Sequence, residues 1–348
     1  MSKYTLRILC LYSNFKKFFF FSENDIYVRS SDVDRTLMSA MSNLAGLYPP
    51  VKEQEWNPKL LWQPIPVHTL PLEEDNVISS HANCPRLKRL MEELSSDPTI
   101  KDIISKNDWV FKYLTNHTGA PVKSLLDIDY LYDTLYIENL YNLTLPEWTH
   151  RVFPDQMKPM TDLSFKLSTW SLQMKRLRGG PLVTSIIDHF QGFIDKKHER
   201  KMLMYSGHDT TLSSLLNTLG MFDPPIAPPY ASLIMIELFK KNGTFLVSFS
   251  YRNNTHEDPY KLKLFDCQME CPLEDFKILT KKFRPEDNWK SECGLLNDPT
   301  METVTIFSIG TATILFLILT LSVIYACVRH QCCRKEENYK YLSISTRS

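Results

Sequence analysis

Lys201-Met202-Leu203-Met204-Tyr205-Ser206-Gly207-His208-Asp209-Thr210-Thr211-Leu212-Ser213-Ser214-Leu215-Leu216-Asn217-Thr218-Leu219-Gly220 is the stretch on which the fold turns. Lys201 to Tyr205 is a short, mostly apolar run suited to a buried strand, and Gly207 supplies a turn. Leu212, Leu215, Leu216 and Leu219 recur at helical spacing, and Gly220 closes the helix. A strand, a turn and a helix in this order form half of an α/β unit. Such units place ligands at the carboxyl end of the strand, just before the helix N-terminus. His208 and Asp209 stand at that point.

Working outward, Ser232–Phe239 and Thr244–Tyr251 read as two strands joined by Lys240-Lys241-Asn242-Gly243, in which Asn-Gly is the turn signal. Toward the N-terminus, Asp25–Ser30 reads as a strand, and Ser31-Asp32-Val33-Asp34 predicts a capped helix start with two acids in its first turn. Val33, Leu37, Met41, Leu44 and Tyr48 predict one apolar face for that helix, which Pro49-Pro50 ends. Trp62–Leu70 is extended and interrupted by prolines, and the periodicity between Cys84 and Phe190 is mainly helical.

Two groups of residues carry chemistry. In Tyr27-Val28-Arg29-Ser30-Ser31-Asp32-Val33-Asp34-Arg35, a helix start offers unsatisfied N–H groups, and Arg29 adds a planar fork matching two phosphate oxygens. In Ser206-Gly207-His208-Asp209-Thr210-Thr211, an imidazole and a carboxyl can hydrogen-bond an oxyanion and pass a proton to a departing alkoxide. Such an acid must be protonated while substrate is bound, which favours acidic pH. Bland alternatives stand beside both: Arg29 as a surface ion-pair partner, and Asp209 or Thr210 as an ordinary helix cap. Arg35, inside the helix, is expected to pair with a neighbouring acid.

A chain of 348 residues is long enough for two domains, and its 40 basic residues balance 40 acidic ones, so nothing marks a surface built for nucleic acid. Thr303–Val328 holds no charged residue and is long enough to cross a hydrocarbon core of about 30 Å as a helix. Arg329, Arg334 and Lys335 follow it, while Glu292, Asp298 and Glu302 precede it, so the C-terminus is expected in the cytosol. The sequons at Asn116, Asn142, Asn242 and Asn253 all lie before the span, on the lumenal or extracellular side. Cys267 and Cys271 bracket a short loop, and Cys84 and Cys293 are a second even pair. Disulfides fit these better than a zinc site, which needs more ligands nearby.

Val28 to Ala40, Trp62-Gln63-Pro64-Ile65-Pro66-Val67-His68-Thr69, Asn142-Leu143-Thr144-Leu145-Pro146, Met204 to Thr211 and Pro228-Pro229-Tyr230-Ala231-Ser232, in this order, resemble the histidine acid phosphatases of the lysosomal and prostatic type, in branch 2 of the histidine phosphatase superfamily. The resemblance runs from about Asn24 to Cys293. It implies a phosphoglycerate-mutase-like three-layer α/β domain (24–81 and 191–296) and a mostly helical second domain (82–190), ahead of the expected transmembrane helix (303–328) and cytoplasmic tail (329–348). It implies hydrolysis of phosphate monoesters through a phosphohistidine, with no metal or organic cofactor and with a tendency to homodimers. Arg29 would bind the phosphate, His208 would hydrogen-bond it, and Asp209 would protonate the leaving group. The pairs Cys84–Cys293 and Cys267–Cys271 match family disulfides, while Ile137 and Leu233 stand where a third would be.

One departure matters. The family carries its nucleophile in an Arg-His-Gly-x-Arg-x-Pro motif upstream of the position of Arg29, and no such motif occurs here. Residues 1–23 diverge from the family: Ile8–Tyr12 could fill the strand position, but Ser13-Asn14-Phe15-Lys16-Lys17 brings no imidazole. Lys3, Arg7 and this short apolar run make a poor signal peptide, so further natural sequence is expected upstream. The first histidine is His68, whose family equivalents are not nucleophiles. The expectation is therefore a phosphatase impaired in turnover or, alternatively, a catalytically inactive binding glycoprotein. In the tail, Tyr339-Lys340-Tyr341-Leu342 has the form of an endocytic sorting signal, and Cys327, Cys332 and Cys333 are palmitoylation candidates. A type I protein of lysosomal, endosomal or plasma membranes is expected.

Overall fold

The computed structural model describes residues 9–10, 21–22, 24–254, 256–286, 288–295 and 299–344. The strands are β1 (Leu9–Cys10), β2 (Ile26–Ser30), β3 (Met202–Ser206), β4 (Leu233–Lys241), β5 (Thr244–Arg252), β6 (Tyr260–Leu262) and β7 (Glu270–Pro272). The helices are α1 (Asp34–Leu47), α2 (Pro85–Glu93), α3 (Pro98–Lys106), α4 (Asp108–Thr118), α5 (Leu125–Leu140), α6 (Lys158–Ser164), α7 (Leu172–Arg178), α8 (Gly180–Ile194), α9 (Asp209–Thr218), α10 (Leu273–Thr280), α11 (Trp289–Glu292) and α12 (Pro299–Ile344). They fall into two units, Met1–Gly294 and Leu295–Ser348.

In the first unit β2 and β3 run parallel, in register from Ile26 opposite Met202 to Ser30 opposite Ser206. All five residues of β3 are buried, as a strand covered on both faces requires. Its side chains alternate between two cores: Met202 and Met204 meet Ala40, Leu44 and Tyr48 beside α1, whereas Leu203 and Tyr205 join the leucines of α9 and Val183, Ile187 and Phe190 of α8. This is a three-layer α/β arrangement. Helix α8 packs into this sheet core although most of it, from Gly180 to Phe190, falls in the stretch 82–190. The other edge of β3 is taken by β1, antiparallel, so part of the Ile8–Tyr12 run does pair there. His68 extends the far edge of β2 through a parallel bridge to Arg29.

The second sheet is built on the hairpin β4–β5, whose register ends with Lys241 opposite Thr244. Asn242 and Gly243 turn it with φ of 49° and 84°, the doubly left-handed turn that matches strand twist. Strands β6 and β7 pair with successive halves of β5. A separate core, including Phe111, Leu114, Leu125, Ile128 and Met157, holds the helical region together. There Ser124 and Asp127 form a reciprocal capping box at the head of α5, with Ser124 N–H donating to Asp127 Oδ2 at 2.8 Å. Cys84–Cys293 and Cys267–Cys271 are both disulfide-bonded.

Helix α1 departs from its sequence pattern. It begins at Asp34, with Val33 as a cap that offers no side-chain bond and Asp34 as the sole acid in its first turn. Its buried face is Thr36, Ala40 and Leu44, while Met41, predicted inside, is 52% exposed. At the helix start the cause is a long-range contact: Ser31 is fully buried and its Oγ meets His208 Nε2, so it is not available as the helix cap.

In the second unit, Phe307–Arg329 has a mean hydropathy of 2.3 and none of it is buried. By length and composition it is a candidate membrane span. The side chains of His330, Cys332 and Cys333, and the tail motif from Tyr339, lie outside what is described.

Candidate active site

Because β2 and β3 are parallel and end level, the residues that follow them arrive together. Ser31 N–H donates to Ser206 O at 3.0 Å, and Ser206 Oγ donates to Thr36 O at 2.7 Å. His208 caps α9 in an extended conformation; its N–H donates to Thr211 Oγ1 at 3.2 Å, and that hydroxyl donates to Ile78 O at 2.7 Å. A Cβ at Gly207 would lie 3.0 Å from the same Thr211 hydroxyl, so glycine suits this close turn.

The imidazole of His208 is held at both nitrogens. Its Nδ1 lies 3.3 Å from Arg35 Nη2 and its Nε2 lies 2.9 Å from Ser31 Oγ. A guanidinium only donates, so Nδ1 accepts, and Nε2–H then donates to the serine. Arg35 therefore serves the histidine, and among the described residues no carboxylate lies within ion-pair distance of it, contrary to the expected acid partner. Asp209 Oδ1 accepts from Thr210 N–H at 2.7 Å.

Arg29 reaches the site from the end of β2. Its Nη2 meets Asp75 Oδ1 at 2.5 Å, and that oxygen also accepts from Val77 N–H at 3.0 Å and Ile78 N–H at 3.1 Å. The Nε of Arg29 is buried without a hydrogen-bond partner. Below this pair, Arg178 Nη1 donates to Ser79 O at 2.7 Å. Burial lowers the pKa of Arg178 to about 10 against the opposing pull of Asp75.

Helix α5 brings further acids toward Asp209. The Asp129 carboxyl is pushed up to about 7, first by burial and then by the carboxylates of Asp209 and Asp133. Burial also raises Asp133, which accepts a hydrogen bond from Tyr230 Oη at 3.3 Å. The same environment moves the Tyr230 phenol above its ordinary value. Sequence reasoning singled out none of Asp75, Asp129, Asp133 and Arg178, and read Tyr230 only as part of a motif. The backbone of His68 joins β2, and its ring stacks on Tyr27 at 4.8 Å. Asn116, Asn142 and Asn242 are exposed and Asn253 is half-buried.

A guanidinium, an imidazole and a carboxyl stand at the carboxyl ends of parallel strands beside a helix N-terminus, the place where α/β proteins hold ligands. A sequence model of the histidine phosphatase superfamily (branch 2) matches residues 10–253. The chain belongs to that family. It is 40% identical over 280 residues to prostatic acid phosphatase from Rattus norvegicus, covering 78% of this chain and 72% of the relative. It is 36% identical over 313 residues to lysosomal acid phosphatase from the same species, covering 88% and 73%. The phytase from Citrobacter braakii shares the fold, with a TM-score of 0.56 at 16% identity, over 80% of this chain and 82% of that one.

Proposed function

We propose that this chain binds phosphate monoesters as a histidine acid phosphatase, with Arg29 and His208 on the phosphate and Asp209 as proton donor to the leaving group. The observation that carries this is the meeting of all three at the end of the β2–β3 pair, with the Nε of Arg29 still unpartnered. A phosphate there would exchange its hydration for the arginine fork, the imidazole N–H and the first amides of α9. Phosphohistidine chemistry calls for an imidazole in line with the ester. His208 is already committed to Ser31 and Arg35, and the Arg-His-Gly-x-Arg-x-Pro motif is not in this sequence. Turnover by this polypeptide alone is therefore expected to be low. The missing motif also favours a second reading, a non-catalytic membrane glycoprotein that uses the pocket for binding.

Hydrolysis of p-nitrophenyl phosphate by the full chain between pH 4 and 7, beside Asp209→Asn and a version bearing the motif, separates these readings. Activity restored by the motif and lost with Asp209→Asn supports the phosphatase. Phosphate binding without hydrolysis in both versions supports the second reading. We take residues 82–190 as a helical domain roofing the site, because the Asp209 carboxylate raises Asp129 and Asp133 there. A type I orientation in lysosomal, endosomal or plasma membranes is supported by the candidate span and the sequons before it; glycosidase sensitivity tests it. A homodimer is supported by the exposed apolar side chains of Trp56, Leu60, Leu61 and Trp62, and sedimentation of the Leu61→Glu variant tests it.

A further inference from the structure

One residue beyond Asp209, Thr210 joins the lining of a cleft of about 820 Å³ that also touches Asp129, Arg178 and Lys88. Arg178 is part of its lining and is only 6% exposed. Its Nη1 is bonded to a carbonyl, but its Nη2 has no hydrogen-bond partner, and neither has the buried Oγ1 of Thr210. Among the described residues no carboxylate lies within ion-pair distance of Arg178. Asp75 is the acid that pulls on it, yet the ion pair of Asp75 is made with Arg29. Two guanidinium groups thus share one carboxylate, and a buried cation without a counter-charge is an unfavourable arrangement unless something anionic completes it.

The other charged and titratable groups that line the cleft are Lys88, His81, Glu73, Asp129 and Tyr130. Asp129 is raised to about 7 by burial and its neighbours, so at acidic pH it is neutral and opposes an anion little. A cleft of this volume is far larger than a phosphate needs, and its lining includes Thr210, the residue that follows Asp209. Resting on the reading of Arg29, His208 and Asp209 as the phosphate site, we propose that the cleft is a second oxyanion subsite. Arg178, Thr210 and Lys88 line it, and it takes a carboxylate or second phosphate carried by the leaving group.

The test uses the full chain in detergent micelles at pH 5, titrated calorimetrically with hexyl phosphate, 1,6-hexanediol bisphosphate and inorganic phosphate. The bisphosphate is expected to bind at least about tenfold more tightly than the monophosphate, since tethering makes its second contact intramolecular. Arg178→Gln removes that advantage and leaves hexyl phosphate affinity unchanged. Exposed Lys88→Gln, which the fold tolerates irrespective of how buried Arg178→Gln behaves, reduces it by about half. A bisphosphate advantage that survives both substitutions, or no advantage in the unaltered chain, overturns the proposal. In the latter case two phosphates bound per chain would show that the cleft takes a free oxyanion instead. Arg29→Gln keeps the two readings apart: it abolishes hexyl phosphate binding if the catalytic assignment holds. If it does not, while Arg178→Gln removes inorganic phosphate binding, the catalytic assignment fails and the cleft remains an oxyanion site.

Discussion

Replacing Asp75 by asparagine tests the arrangement that aims Arg29. One oxygen of Asp75 accepts from Arg29 Nη2, Val77 N–H and Ile78 N–H, and the side chain is fully buried while that of Arg29 is 14% exposed. An amide carbonyl in the same place keeps three acceptances but loses the charge that roughly doubles the strength of each. Losing about 1 kcal/mol at each of these bonds gives a destabilisation of about 3 kcal/mol, at the low end of what breaking a buried ion pair costs. At roughly 2 °C per kcal/mol for a large unit, the melting temperature should fall by about 6 °C. The assay is thermal unfolding of the purified full chain, with Arg29→Gln and the double variant completing a cycle. The double variant is expected to lose little beyond the larger single loss, because one interaction is removed twice. A melting temperature within about 1 °C of the unaltered chain, or additive losses, would refute the idea that this pair orders Arg29.

Asp129 binds a proton in the folded state up to about pH 7 but releases it near its ordinary value of 3.8 when unfolded, so its contribution to stability weakens as pH rises across that window. Asp129→Asn should therefore gain stability relative to the unaltered chain between about pH 4 and 7; a constant difference in melting temperature over this range contradicts the assignment. His189 behaves in the opposite sense. Burial and then the nearby His198 and Arg200 lower it from 6.5 to about 4, so stability present above its unfolded value is lost as pH falls through that interval. His189→Leu should flatten this acid-side decline in a melting series from pH 7 to 4. The Cys84–Cys293 disulfide closes a separation of 209 residues and Cys267–Cys271 one of four. Paired serine substitutions should cost about 5 and about 2 kcal/mol respectively in urea unfolding, and equal losses would argue against chain entropy as the source.

The secondary structure around the site is legible because its signals are local: the leucine spacing of α9, the Asn242-Gly243 turn, and the apolar runs of β2 and β3. The paired cysteines are legible through ordered motifs, as is the placement of Arg29, His208 and Asp209 at the ends of β2 and β3. Helix α1 is misjudged at its start because Ser31 fits a capping pattern but is used by His208 Nε2 instead. Arg35 is misjudged for a related reason, since its partner lies 173 positions away. Asp75, Arg178 and Asp129 leave no periodic or motif signal. Asp75 and Arg29 are 46 positions apart, and Asp129 matters only because α5 carries it to Asp209. Long-range burial and charge pairing decide these roles, and neither is written in a local window of sequence.

The Ser31–His208 contact joins residues 177 positions apart, and almost the whole helical region lies between them. Closing so long a loop is entropically unfavourable until the intervening chain has compacted. The two halves of the pocket are thus among the last parts of the molecule to meet during folding. Partly folded chains would carry every residue of the site and yet present no site. Phosphate affinity in this protein would then work as a reporter of completed folding, and oxyanions present during maturation would act late, by trapping the finished state.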